Sequence, residues 1–541
     1  MHAMIAKLGS RVDPVHALLV LALAAGLALR LYGIHWGLPD ASHPLHSYHP
    51  DEALHLFAAE WLASGTIFPK HFMYGGTFYF ALLNAFSHIA EMLQNVLGGG
   101  NLLADTILLG RYVLVGVALI TIVLTYHVGR LLFDRSVGAL AALFLAIAPA
   151  HVVWAQRLRP DEIATFLTVV ILYLSVKILQ SKPDNLRYCA YVGLVLGAAI
   201  SLRFPSGVFA SVPLAALLLA CNEMSTIRCL LHSLFNRKTA VMGLCASAAY
   251  VLASPQILMY PEIFIAGLEV QWGYQSSPFP DAVGMGPGFY QYGWLMLHQA
   301  LGYALYGLAL LGVLYASFKR TAADWLLLAA IVPYLVLTSF TSWVVVRYTL
   351  PLVPLLVVLA ARVAHLGLSL RLPHRVAGYA MIALVVGWTL LGDAAYLRLE
   401  AGKNVRELAT EWIDQHVPHG SSIVAVKTYL EDDFFNPVIP KHYAYHNFPL
   451  VERGDGARLF REQRYDYLIL HEYLYKNMER LGSRHPSAQA RAFHQALLVS
   501  RYRLIKEFKQ PVTFFGIDFS NSFSSNDYTI VNPGIRVYQY Q

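Results

Sequence analysis

Over its first 397 residues the chain alternates long apolar runs with short polar connections. A helix needs roughly 20 apolar residues to cross the hydrocarbon core of a bilayer. Runs near 16–34, 108–131, 137–154, 162–180, 188–203, 205–221, 240–258, 292–317, 322–343, 346–367 and 375–397 meet or approach that length. They predict a mainly α, polytopic bundle of about eleven transmembrane helices. The fifth and sixth runs are short and divided by Arg203-Phe204-Pro205. Beyond 397 the pattern changes. KNVRELATEWIDQHV has helical spacing, while SSIVAVKTY, YDYLILHEYL and PVTFFGIDF read as strands. Residues 398–541 therefore read as a small soluble α/β domain, and 1–397 as the membrane region.

The stretch 35–107 is too long for a simple connection, and too apolar and aromatic for disorder. Within it HSYHPDEALHLFAAEWLASG predicts a short helix opening at Pro50-Asp51, where proline suits the first turn and carboxylates favour the positive end of the dipole. Leu54, Phe57, Ala58 and Trp61 form an apolar face suited to the membrane interface, with Asp51, Glu52 and His55 on the other side. MYGGTFYFALLNAFSHIAEML predicts a second surface-lying helix.

Composition sharpens this picture. Charged residues make up 13% of the 541 residues, against about 25% in ordinary soluble chains. The net charge of +7 is not gathered into a basic stripe, which excludes a nucleic-acid partner. Lys and Arg concentrate in alternate connections: Arg130, Arg135, Lys177, Lys182, Arg187, Arg228, Arg237, Lys238, Lys319, Arg320, Arg362, Arg371 and Arg375. By the positive-inside rule these face the cytoplasm, with the N-terminus inside and the C-terminal domain periplasmic or extracellular. The first apolar run lacks a cleavage signal and reads as a retained anchor in the cytoplasmic (inner) membrane. Cys189, Cys221, Cys229 and Cys245 lie in or near spans or on cytoplasmic connections, so no disulfide framework is expected in the exported parts.

This topology sends two acidic pairs, Asp51-Glu52 and Asp161-Glu162, to one outer face. A helix N-terminal charge pair explains either one alone. Two converging at a membrane face point to a site. Lys70, Arg157, Arg159, Arg203 and Arg347 reach the same side next to span ends. One or two would snorkel to lipid headgroups. Several cations around a few carboxylates suit an anionic ligand such as a lipid phosphate. A sugar on a lipid phosphate already has a stable leaving group, so cations suffice there and a carboxylate base serves the acceptor. Direct displacement would invert the anomeric centre.

These residues carry a resemblance. YHPDEALH, FPKHFMYGGTFYFALL, WAQRLRPDE and RYTLPLVPLLVVLAA resemble the GT-C superfamily, and within it glycosyltransferase family 39, the protein O-mannosyltransferases and lipid A aminoarabinose transferases. The resemblance covers essentially the membrane region. It implies a polyprenyl-phosphate-linked sugar as donor, a protein, lipid or glycan as acceptor, and metal independence with no further cofactor. It implies Asp51, with Glu52 beside it, as the catalytic base or acceptor-binding group, and Asp161 with Glu162 as helpers. Lys70 and Arg347 resemble positions that hold the carrier phosphate; Arg203 and Arg159 join them, with Tyr74 and His55 as neighbouring binding residues. Gly75-Gly76-Thr77 departs from the family's bulky or proline-containing pattern and puts the role of Lys70 in question.

Other signals weigh less. His43, His46, His49 and His55 surround the acidic pair, but no recognised ligand spacing appears, and a partly solvated polar loop explains them better than a metal. Trp272, Tyr274 and Tyr290 could stack on a sugar, although interfacial anchoring is the commoner role. No WWDYG-type signature is present, which argues against oligosaccharide transfer. A secondary transporter is the alternative function; it would show repeats and midplane polar residues, whereas the charges here sit at span ends. A structural assembly protein would leave both acidic pairs unexplained.

Overall fold

The computed structural model describes residues 13–541 apart from 42, 44–46, 73, 99, 183–184, 222–225, 278, 370, 428–433, 450–459 and 461. Each of the apolar runs is helical over most of its length, whole or in pieces. Among the described residues, Pro14–Leu31, Leu102–Leu132, Pro160–Gln180, Val346–Leu368 and His374–His416 are long and apolar enough to cross a membrane. Three runs are broken where the chemistry demands it. The run 137–154 divides into Arg135–Ala146 and Pro149–Trp154 because Pro149 opens a new helix. The run 240–258 stops at Ala253, ahead of Ser254-Pro255. The run 292–317 breaks at Gly302, whose φ of 75° ends one helix before Tyr303–Lys319 begins.

Arg135–Ala146 sits at the centre, with every residue from Val137 to Ala146 buried. A helix apolar all round has to be enclosed, and Pro14–Leu31, Leu102–Leu132 and Val353–Leu368 enclose it. Pro14–Leu31 is peripheral, and Val20 and Leu21 stand 66% and 58% exposed, as lipid-facing side chains do. Arg187–Leu202 and Arg237–Ala253 pack closely: a Cβ on Gly193 or Gly197 would lie 2.3 or 2.2 Å from Met242 O or Ala246 O. Small residues four apart admit that approach. Cys221 and Cys229 are joined by a disulfide, while Cys189 and Cys245 are free.

The two loop helices form as expected, at Pro50–Ala63 and Phe78–Leu97. Glu52, His55, Leu56 and Ala59 turn inward, and Trp61 is exposed on the opposite side. Gly75 and Gly76 press this loop against the bundle. The Gly75 carbonyl accepts the Tyr250 hydroxyl at 2.8 Å, the Tyr74 carbonyl accepts the Phe204 N–H at 2.9 Å, and the Thr77 N–H donates to Ser254 Oγ at 2.9 Å. The departure at Gly75-Gly76 thus has a local cause: there is no room for side chains at those two positions.

The C-terminal region holds a mixed sheet of β1 (Ser422–Lys427), β2 (Ala444–Pro449), β3 (Tyr467–His471), β4 (Tyr502–Phe508) and β7 (Ile535–Tyr540), in the order β2-β1-β3-β7-β4. β1 pairs parallel with β2 and β3; β7 pairs antiparallel with β3 and β4. Val405–His416 covers one face through Val405, Ala409 and Ile413, and Glu472–Leu481 with Ala488–Leu498 covers the other. β3 is buried on both sides, as a strand between two helical layers must be. Two strand expectations need correction. YDYLILHEYL becomes helix at Glu472, where Leu474, Tyr475 and Met478 take up helical spacing against the sheet. PVTFFGIDF is not in the main sheet: β5 (Thr513–Phe514) and β6 (Ile517–Asp518) form a hairpin that turns at Phe515 and Gly516, both at positive φ.

The sheet is tied to the bundle by its last segment. Tyr396 stacks on Phe523 at 4.7 Å, Tyr528 donates to Gln299 O at 3.0 Å, and Gln299 Oε1 accepts the Ser525 N–H at 2.8 Å. Gly75→Ala tests the close approach: its Cβ would fall 2.0 Å from Ile200 O, at a φ of 142°. We expect a loss of about 1–3 kcal/mol, read as a lower thermal midpoint in detergent; an unchanged midpoint would show that the loop is not held this way.

Candidate functional site

Both Pro-Asp-Glu turns are built alike. Pro50 and Pro160 open their helices at the first position, which places Asp51-Glu52 and Asp161-Glu162 in the first turn. Successive helical residues differ by about 100° in direction, so the two acids of each pair cannot face one way. Glu52 turns into the protein. Its Oε1 accepts Arg111 Nε at 2.9 Å and the Leu158 N–H at 2.8 Å; its Oε2 accepts Arg111 Nη2 at 2.7 Å and Ser47 Oγ at 3.1 Å. Glu162 also turns inward, 3.0 Å from His151 Nε2, and His151 Nδ1 lies 2.5 Å from Arg30.

Asp51 and Asp161 meet at Arg159. Its Nη1 donates to Asp51 and its Nε to Asp161 Oδ2 at 3.1 Å. Arg203, in the extended residue that ends Arg187–Leu202, donates to the other Asp161 oxygen and lies 4.8 Å over the Tyr348 ring. Arg347 lies 5.8 Å from the Trp154 ring centroid and 5.7 Å from that of Tyr348. Arg159 lies 5.9 Å from Trp154 and 6.0 Å from Tyr74. Asp51 keeps a third of its side chain exposed, whereas Asp161 is enclosed.

Of the expected site residues, Asp51, Asp161, Arg159, Arg203, Arg347, Tyr74 and His55 are thus brought to one end of the bundle. Tyr74 reaches His55 Nε2 at 2.7 Å. Lys70 stands apart, exposed on the turn Pro69–Phe72 and without an ion pair among the described residues. Arg157 pairs with Glu400 and lies 4.2 Å over Trp36. Tyr274 contacts Trp343 at 6.1 Å, while Trp272 is 76% exposed.

The histidines divide as well. His43 neighbours Asp40, His55 serves Tyr74, and His49 faces Trp154 at 6.0 Å; His46 lies outside the described residues. Among the described residues the group with three ligand atoms close enough for an ion is elsewhere, at Asp414, His419 and His442. Burial pushes His55 down to about 3. Burial, with the guanidinium groups of Arg159, Arg157 and Arg347, holds His49 well below the ordinary histidine range. Burial opposes charge on Glu52 too, but Arg111 outweighs it and keeps the carboxyl below its usual range.

Arg111, Trp154, Tyr348 and Asp527 were not among the expected site residues. Arg111 had a signal, a charge inside an apolar run. Asp527 had none. It lies in the C-terminal segment, where Oδ2 accepts the Arg347 N–H at 3.0 Å and Oδ1 accepts its Nη1.

Residues 100–250 match the family model described as dolichyl-phosphate-mannose-protein mannosyltransferase. No curated protein sequence matches the chain. Among solved structures, the archaeal oligosaccharyltransferase AglB from Archaeoglobus fulgidus, in complex with an inhibitory peptide and a dolichol-phosphate, is similar with a TM-score of 0.52 at 12% identity, over 97% of this chain and 88% of that one. The apo form of the Archaeoglobus fulgidus enzyme gives 0.51 at 13%, over 92% and 80%. ArnT from Cupriavidus metallidurans bound to undecaprenyl phosphate gives 0.48 at 13%, over 97% of each chain. The chain shares the fold of the Archaeoglobus fulgidus structures, a polytopic helical bundle with a small C-terminal sheet. The family match agrees with the resemblance read from the motifs over residues 100–250, which include WAQRLRPDE.

Glu52→Gln keeps the size of the side chain and strands the buried Arg111 charge. It should cost about 3–5 kcal/mol in thermal or denaturant unfolding; a near-wild-type midpoint would remove the structural role given to Glu52. Acid should also destabilise the fold. With the folded-state value of His55 near 3 and the ordinary value at 6.5, the unfolded chain binds the extra proton between them, so stability is complete above 6.5 and drains away as pH falls. The thermal midpoint should drop between pH 7 and 5, and His55→Phe should flatten that slope; parallel profiles would contradict the assignment.

Proposed function

We propose that this protein is a membrane glycosyltransferase that moves a sugar from a polyprenyl-phosphate carrier to an acceptor hydroxyl or amine. The observation that carries the reading is the Asp51–Arg159–Asp161–Arg203 cluster at one end of the bundle, with Arg347 beside it. The match of 100–250 to a dolichyl-phosphate-mannose-dependent family supports the donor class, as does the dolichol-phosphate held by the AglB structure. The basic connections lie at the other end of the spans, so this end is assigned to the outer face of the cytoplasmic membrane, with the N-terminus inside. Residues 398–541 are then an extracytoplasmic domain that covers the site and helps select the acceptor.

Asp51 is the base. Its partial exposure lets an acceptor reach it, while the fully occupied Glu52 only orients it. As the acceptor oxygen or nitrogen bonds to the anomeric carbon, Asp51 takes its proton, the bond from that carbon to the phosphate oxygen breaks, and the electron pair leaves with the polyprenyl phosphate. The arginines stabilise the added charge on that phosphate. Attack from the face opposite the leaving group inverts the centre. Asp161 holds Arg159 and Arg203 in position. The displacement calls on no metal or other cofactor.

Transfer of radiolabelled sugar from polyprenyl-phosphate donors to endogenous membrane acceptors tests the reading. Asp51→Asn should fold, retain donor binding and lose about 10²–10⁴-fold in kcat. Undiminished transfer by the mutant would rule out Asp51 as base.

A further inference from the structure

Arg347 differs from Arg159 and Arg203 in where its partner comes from. Asp527 lies 180 residues along the chain, and the two side chains are only 8% and 1% exposed. Three arginines, Arg159, Arg203 and Arg347, face three carboxylates, Asp51, Asp161 and Asp527. As it stands the cluster is neutral. A phosphodiester that enters a neutral, desolvated cluster gains no net attraction, and adds a charge that has to be paired. One resident carboxylate has to yield.

Asp161 is bound by two arginines and Asp51 is needed for the acceptor. Among the described residues, the Asp527 carboxylate is held by Arg347 alone, through the Arg347 N–H at 3.0 Å and Nη1. Its neighbours hold the backbone in place without it: the Ser525 N–H on Gln299, Asn526 on Asp281, and the Tyr528 hydroxyl on Gln299 O. A side-chain rotation therefore releases the Arg347 guanidinium, and its backbone N–H with it, without undocking the domain.

A second observation points to the same spot. Among the described residues, Arg347 Nε, Trp154 Nε1 and both ring nitrogens of His49 are buried without a hydrogen-bond partner. They surround one indole, with Arg347 5.8 Å and the His49 ring 6.0 Å from it. An unpartnered buried donor is expensive, and three such groups together suit a ligand rich in acceptor oxygens. We propose that Asp527 is an exchangeable counter-ion: a phosphodiester or phosphate monoester takes its place on Arg347 and accepts hydrogen bonds from Trp154 and His49. The inference rests on the glycosyltransferase reading and makes the C-terminal domain part of donor binding.

The test uses the full-length protein in detergent, with undecaprenyl phosphate and inorganic phosphate as probes. Asp527→Asn leaves Arg347 unpaired, so its midpoint without ligand should fall. Undecaprenyl phosphate should then bind it at least about tenfold more tightly than wild type, the lower end of what one close charge pair contributes, and raise its midpoint further. Asp527→Ser removes the same charge with a smaller side chain and should show the same gain. A gain confined to undecaprenyl phosphate assigns the exchange to the lipid carrier; an equal gain for inorganic phosphate supports exchange with a free anion. Lipid phosphate bound by wild type but no tighter by both variants would mark Asp527 as structural and overturn the exchange. No binding to any of the three would overturn the donor reading as well.

Discussion

The buried pair between Glu52 and Arg111 is the contact on which the rest of the site depends. Glu52 receives two bonds from the guanidinium, one from the Leu158 N–H and one from Ser47, while Arg111 Nη1 reaches the Ile34 and Trp36 carbonyls at 2.7 and 2.8 Å. One ion pair thereby joins the end of the first span, the start of the second, the loop helix and the turn before Pro160–Gln180. Desolvating two charges is costly and is offset only when the geometry is good and every remaining donor and acceptor is used. That condition makes the pair a device for orientation. With Glu52 locked inward, the preceding residue, Asp51, has to face the site.

The same device is used twice. In both Pro-Asp-Glu turns the glutamate is spent inside, on Arg111 or beside His151, and the aspartate is left for the arginines. Arg159 spans the two aspartates from the extended residue before Pro160, donating to Asp161 in the helix it precedes and to Asp51 in the loop helix. The cluster that results is dense in charge yet balanced, so its electrostatics depend on which anion occupies each arginine.

The C-terminal region enters that balance through Asp527, and it also grips the neighbouring loop. Asp281 accepts Asn477 Nδ2 at 2.6 Å and pairs with Asn526, while Arg480 donates to the Val283 and Pro280 carbonyls at 2.7 and 2.6 Å. Burial raises the Asp281 carboxyl above its usual range. The similarity to the oligosaccharyltransferase, at 12% identity, is one of fold.

Apolar run lengths and helix-start chemistry alone were enough to predict the bundle, the loop helix at Pro50 and the two acidic turns. These are local consequences: a run of apolar residues has to leave water, and proline followed by acids suits a first helical turn. The pattern set Leu54, Phe57, Ala58 and Trp61 on one face and Asp51, Glu52 and His55 on the other. In the fold Glu52 and His55 turn inward together with Leu56 and Ala59, while Trp61 is exposed. What the pattern could not decide was which acid of each pair faces the site, whether Lys70 joins it, or that Asp527 completes it. Those outcomes depend on partners 59 residues away for Glu52, 108 for Asp51 and 180 for Arg347. Two adjacent carboxylates are alike in sequence, and only the buried arginine against one of them makes their roles differ.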